Sequence, residues 1–139
     1  MKIIAASHGS LASGIKSSLD VLLGKSEDVT VIDAYLDQQS FEDRLDEYFR
    51  SLPENEQVVM LSDIYGGSVN QKMYLRLTRS NTFLITGMNL ALVLQLLMET
   101  EPLSIERLKI IVEESREALM LVEFQTTGTE EKDFFGDNK

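Results

Sequence analysis

The sequence predicts an α/β fold of the doubly wound type, with a mostly parallel sheet of strand order 2-1-3-4 and helices on both faces. Two observations carry this. Four short β-prone runs, at residues 2–6, 29–32, 58–62 and 82–86, are each followed by a stretch in which apolar residues recur at helical spacing. Such alternation implies parallel strands joined by right-handed crossovers, which leave helices on both sides of the sheet. The 139 residues, 43% hydrophobic and 26% charged, suffice for one core of this kind and would be cramped as two.

Each helix carries start and stop signals. After the first strand, Leu11, Ile15, Leu19 and Leu22 fall on one helical face, with Ser10 as the expected cap and Gly24 as the stop. After the second, Ser40 and Asp43 form a capping-box-like pair ahead of Phe41, Leu45, Tyr48 and Leu52, and Pro53 ends the helix. The third strand leads through Gly66 and Gly67 into a helix with Val69, Met73 and Leu77 on one side. The fourth leads through Gly87 and Asn89 into Leu90, Val93, Leu94 and Leu97. A last helix begins near Ser104, after Pro102, and is expected to bury Leu108, Ile111 and Val112. Residues 119–124 have strand-like composition. Residues 126–139 are polar apart from Phe134 and Phe135 and read as a tail, which leaves residues 1–125 as the single domain.

Composition narrows the function classes. The chain has no cysteine, so disulfides and thiolate metal sites are excluded, and with no signal-like leader a cytoplasmic location is expected. The longest apolar run, residues 90–98, is too short to span a bilayer. Against 13 Lys and Arg stand 23 Asp and Glu, a formal charge of −10, which repels nucleic-acid phosphates and anionic membrane surfaces. Solubility explains such acidity on its own, and a basic protein partner would also be drawn by it.

Doubly wound sheets bind ligands beyond the carboxyl ends of their strands, where strand order reverses. Order 2-1-3-4 puts that crevice between strands one and three, so it receives Ser7, His8, Gly9 and Ser10 from one side and Asp63 to Ser68 from the other. His8 is the only histidine. An imidazole beside a carboxylate has its tautomer fixed at one ring nitrogen and keeps a lone pair outward at the other, where it can act as a nucleophile toward phosphorus. Asp63 would stabilise the positive charge the ring then acquires. Helix starts at Gly9 to Leu11 and at Gly67 to Val69 offer backbone N–H donors to a phosphoryl group, and the hydroxyls of Ser10 and Ser68 add to them. Each residue also has a plainer role: His8 as a structural or exposed side chain, Asp63 as a turn residue, Gly66 and Gly67 as backbone geometry, Ser10 and Ser68 as caps. The joint arrangement favours chemistry.

Over roughly residues 1–124, this pattern resembles the IIA components of the mannose-type sugar phosphotransferase system. In that family a strand-end histidine followed by glycine pairs with an aspartate preceding a Gly-Gly-Ser turn. Ser7-His8-Gly9 matches the phosphorylated site, Asp63 the orienting residue, Gly66-Gly67-Ser68 the phosphate-side turn, and Gly87-Met88-Asn89-Leu90 the fourth-strand loop. The resemblance implies that His8 takes a phosphoryl group from the phosphocarrier HPr and passes it to a IIB component, which serves the membrane IIC and IID subunits, with no cofactor or metal required. It also implies a homodimer in which residues 119–124 cross to the partner's sheet as an antiparallel edge strand, in place of pairing within their own chain. Two positions depart from the family pattern: Ala91 replaces a common proline, and Val69-Asn70 follows the turn in place of Pro-Phe-Asn.

Three other readings compete. A similar domain donates phosphoryl groups to dihydroxyacetone kinase, and others sit in transcription regulators. Adjacent transport genes would distinguish these from the sugar system. The histidine phosphatase and mutase class needs an arginine before its histidine and a second histidine, and this chain has Ser7 and none. A non-covalent flavodoxin-like binding module would hold flavin or another ligand in the same crevice, but the chain has no tryptophan and few aromatics near Ser7 to Ser10.

Overall fold

The computed structural model describes residues 1–125. The strands are β1 (Lys2–His8), β2 (Val29–Ala34), β3 (Val58–Ser62) and β4 (Thr82–Thr86), paired parallel throughout in the order β2-β1-β3-β4. The helices are α1 (Leu11–Leu23), α2 (Phe41–Arg50), α3 (Ser68–Tyr74), α4 (Leu90–Leu97) and α5 (Ile105–Arg116), and a 3-10 turn at Leu75–Thr78 extends α3. Through α5, element order and strand order are those expected from the sequence. β1 and β2 run two residues further than the apolar runs alone indicate, to His8 and Ala34, because the ladder continues through Ser7↔Asp33 and His8↔Ala34.

Alternate residues of the central strands feed two cores. Ile3 and Ala5 of β1, with Val59 and Leu61 of β3, pack under α1, α4 and α5 against Leu19, Val93, Leu96 and Ile111. Ile4, Ala6, Val58 and Met60 face the other way, onto Phe41 and Leu45 of α2 and Val69 and Met73 of α3. Both inner strands are covered on both faces, so their sequences read as nearly unbroken apolar runs.

Several helix faces differ in detail from the spacing. Leu11 and Leu22 are exposed, Ala12 and Leu19 are the buried residues of α1, and Ile15 is partly buried against the same core. In α4 the fully buried residues are Leu92, Val93 and Leu96, because this helix is packed between the sheet and its neighbours α1 and α5. Leu77 lies in the 3-10 turn and is partly exposed. Ser40, Asn89 and Ser104 cap α2, α4 and α5 with side-chain oxygens that accept from Asp43, Leu92 and Arg107 N–H. Ser10 makes no such bond. The oxygen that serves α1 is Ser7 Oγ, fully buried, which accepts from Ala12 N–H at 2.8 Å.

Residues 119–124, expected as a strand, form none among the described residues, and Leu119, Met120, Leu121, Val122 and Phe124 stand exposed to solvent. β4 is accordingly an edge strand. The proposed tail, residues 126–139 with Phe134 and Phe135, lies outside the described residues.

Candidate active site

His8 and Asp63, 55 residues apart, meet at the carboxyl ends of β1 and β3. His8 is the last residue of β1. Ser62 ends β3 in register with Ala6, so Asp63 begins the following loop at the level of the ring. One carboxylate oxygen, Asp63 Oδ2, accepts both the His8 backbone N–H and its ring Nδ1, each at 2.8 Å. The other, Oδ1, accepts from Ile64 N–H at 2.9 Å. Burial pushes the Asp63 carboxyl up, but the bonds from the His8 backbone and ring and from the Ile64 backbone outweigh it and hold the group below its ordinary value. An ionised carboxylate only accepts, so the neutral ring carries its proton on Nδ1 and its lone pair on Nε2.

The two side chains have opposite exposures. Asp63 is 11% exposed and His8 is 45% exposed, so the carboxylate is shielded and the imidazole is open to solvent. Nε2 faces Ser68 Oγ at 3.3 Å. Gly67, in an ordinary φ region, is needed for clearance: a Cβ there would lie 2.9 Å from Ile64 Cγ2 and 3.3 Å from His8 Cε1.

The loop from Asp63 to Ser68 is tied down from below. Asn70 donates to the buried Ser62 hydroxyl at 2.9 Å and accepts Gly66 N–H at 3.2 Å, while Ser62 itself donates to Thr86 Oγ1 at 2.8 Å. Gly66 takes a positive φ of 78° at the tightest point of the turn. On the β1 side, Gly9 turns the chain at φ 63° and donates its N–H to Ala34 O, and Gly67 N–H donates to Ile64 O at 3.3 Å. These two glycines therefore shape the loops, and their N–H groups are already engaged. Ala12 and Ser13 N–H at the start of α1 are taken by Ser7 Oγ and Asp33 Oδ1. Ser10, on the rim, is exposed.

Of the sequence-derived residues, His8, Asp63, Gly67 and Ser68 converge. Gly9 and Ser10 border the site without touching the ring. Tyr35 and Lys72 were not expected there. Tyr35 follows β2, its ring centroid 5.3 Å from that of His8, and its hydroxyl is 2.8 Å from Ser68 Oγ. Lys72 Nζ lies 3.5 Å from that hydroxyl. The signal for Tyr35 was available: order 2-1-3-4 places the end of β2 beside the end of β1. Among the described residues, no group of three or more His, Cys, Asp or Glu side chains is placed to hold a metal.

Residues 2–113 match the family described as PTS system fructose IIA component. Solved structures agree. A protein from Klebsiella pneumoniae subsp. pneumoniae MGH 78578, provisionally described as a phosphoenolpyruvate-dependent sugar phosphotransferase system permease, is 27% identical over 86% of this chain and 89% of its own, with a TM-score of 0.81. The mannose/sorbose specific IIA subunit of the phosphotransferase system from Enterococcus faecalis is 19% identical, covers 91% of this chain and 97% of its own, and has a TM-score of 0.79. A sigma-54 interaction domain protein from Enterococcus faecalis is 25% identical over 85% of this chain and 91% of its own, with a TM-score of 0.65. No curated protein matches this chain in sequence.

Proposed function

The chain belongs to the PTS fructose IIA component family of the sugar phosphotransferase system, and on that premise we propose that His8 is its phosphoryl carrier, charged by phospho-HPr and discharged to a IIB component during sugar uptake. The observation that carries the proposal is the 2.8 Å contact between Nδ1 and Asp63, which leaves Nε2 as the outward nucleophile. The Nε2 lone pair attacks phosphorus, an N–P bond forms, and the donor's N–P bond breaks with its electron pair returning to the donor imidazole. Nδ1 keeps its proton. Asp63 balances the positive charge the ring acquires, and Ser68 supplies a hydroxyl to the phosphoryl oxygens. Gly67 admits the ring, while Gly9 and Ser10 form the opposite lip.

The ring's exposure suits a donor and an acceptor that are both proteins, and Leu11, Leu36, Ile64 and Tyr65 give the loops around it exposed apolar side chains. None of the chemistry calls on a nucleotide, metal or other cofactor. IIC and IID are engaged only through IIB. A cytoplasmic place follows from these partners, and no helix among the described residues is long and apolar enough to cross a membrane. The proposed homodimer is supported by the exposed Leu119, Met120, Leu121, Val122 and Phe124 and by the β4 edge, unpaired among the described residues, beside which Leu77, Phe83, Ile85, Ile105 and Val112 line an apolar groove. The carrier domain is residues 1–125.

A second reading has the same chemistry serving regulation, and the likeness to a sigma-54 interaction domain protein favours it over other rivals. The deciding test is transfer of labelled phosphate from phospho-HPr. One acid-labile, base-stable phosphoryl group per chain is expected, absent in His8→Ala. Unchanged labelling of that variant would refute the assignment. Adjacent genes for IIC and IID, against a dihydroxyacetone kinase or a promoter-binding regulator, discriminate the purposes.

A further inference from the structure

We propose that Tyr35 and Lys72 belong to the phosphoryl-transfer machinery, Tyr35 as the positioning residue that aims the Ser68 hydroxyl at His8 Nε2 and Lys72 as the cation that orients Tyr35. The inference rests on the carrier role of His8 and adds to it a second group of residues, on the side of the ring away from Asp63.

The hydrogen-bond directions follow from one end. Asp63 is ionised and accepts from Nδ1–H, so Nε2 can only accept, and Ser68 Oγ at 3.3 Å donates to it. The Ser68 oxygen then accepts from the Tyr35 hydroxyl at 2.8 Å. The Tyr35 oxygen accepts from Lys72, whose ammonium has only donors and lies 3.5 Å away. Five groups thus form one chain of donors running from an ammonium to a carboxylate, and each bond polarises the next. Such a chain has one consistent orientation in the unphosphorylated protein. Once Nε2 is bonded to phosphorus it can no longer accept, and the Ser68 hydroxyl is released to donate to a phosphoryl oxygen, while Tyr35 still donates to Ser68 Oγ and Lys72 to Tyr35.

Backbone geometry supports this placement. Tyr35 has φ 69°, a left-handed conformation that a bulky side chain adopts at a cost, and it is half exposed. Neither burial nor strand pairing demands a tyrosine there. Its ring is instead held by the imidazole on one side, at 5.3 Å and a 48° tilt, and by Lys72 Nζ, 5.6 Å from the centroid. Strain at a surface residue whose hydroxyl reaches the nucleophile's partner marks the position as functional.

The experiment uses the whole chain and compares Tyr35→Phe, Lys72→Gln and Lys72→Arg with wild type and His8→Ala, using phospho-HPr as donor. Tyr35→Phe keeps the ring and loses only the hydroxyl. Its kcat should fall roughly 5- to 20-fold with KM within about twofold, since the lost bond acts in the transfer step and not in docking. The ring 15N signal of Nε2 should shift toward that of an unbonded acceptor, a change that a merely structural role would not produce. Lys72→Gln should fall similarly, and Lys72→Arg should recover most of the loss. A Tyr35→Phe protein with wild-type kcat and an unmoved Nε2 signal, while His8→Ala is inactive, overturns this inference and leaves the carrier role standing. A wild-type chain that takes no phosphoryl group from phospho-HPr overturns both.

Discussion

Replacing Asp63 with asparagine tests the core of the site, because the amide removes the charge and one acceptor while keeping the shape. The carboxylate serves three N–H donors: the His8 backbone and ring on Oδ2, and Ile64 on Oδ1. An asparagine has one carbonyl oxygen, and two of the three donors are on the His8 side, so the oxygen settles there and the amide NH2 faces Ile64 N–H. The ring then keeps its proton on Nδ1 and its lone pair on Nε2. What changes is the strength of support. A hydrogen bond to a charged partner contributes about 1.5–3 kcal/mol and a neutral one about 0.5–1.5, a difference of about 1–2 kcal/mol. Applied to the transition state, this slows transfer roughly 5- to 30-fold. The unpaired Ile64 N–H should separately lower stability by about 1–3 kcal/mol. Rapid-quench transfer of labelled phosphate from saturating phospho-HPr measures the first effect, and urea unfolding the second. A folded variant transferring within twofold of wild type would refute the electrostatic role of Asp63. Loss as deep as that of His8→Ala would show that the amide nitrogen faces the ring and would refute the deduced orientation.

Four further outcomes follow from the same geometry. Because the fold holds the Asp63 carboxyl below its unfolded value of about 3.9, its contribution to stability is complete above that value and is lost as pH falls through the lower, folded one. The stability difference between wild type and Asp63→Asn should therefore shrink as pH falls below about 4 in urea melts. Gly67→Ala suits the local backbone but brings a Cβ to 2.9 Å from exposed Ile64 Cγ2, which can yield, and 3.3 Å from His8 Cε1; transfer should slow several-fold with a Tm change of only a few degrees. Ser7→Ala removes the buried acceptor of Ala12 N–H and should cost about 1–3 kcal/mol, whereas Ser10→Ala, which loses no cap bond, should stay within about 0.5 kcal/mol by thermal unfolding. Tyr48 buries a hydroxyl that has no hydrogen-bond partner among the described residues, and burial pushes its phenol up to about 12. Tyr48→Phe should be neutral or stabilising near pH 7 and should remove the part of the alkaline stability loss that falls between about pH 10 and 12.

Strand and helix order were legible in the sequence because they are written in local periodicity. Residues 58–62 and 82–86 are strands within the boundaries their apolar runs indicate, and Ser40 caps α2 as the Ser40–Asp43 spacing predicts. The pairing of His8 with Asp63 was legible too, although 55 residues separate them, because strand order 2-1-3-4 alone makes the ends of β1 and β3 neighbours. Tertiary structure alone decided which oxygen caps α1, Ser7 Oγ and not Ser10 Oγ, and which residues flank Nε2, Ser68 together with Tyr35 and Lys72. It also left residues 119–124 unpaired among the described residues. The physical reason is one of range: periodicity reports which way a side chain faces, to within a turn or a pleat. A hydrogen bond depends on tenths of an ångström set jointly by several elements, and no single stretch of sequence specifies that.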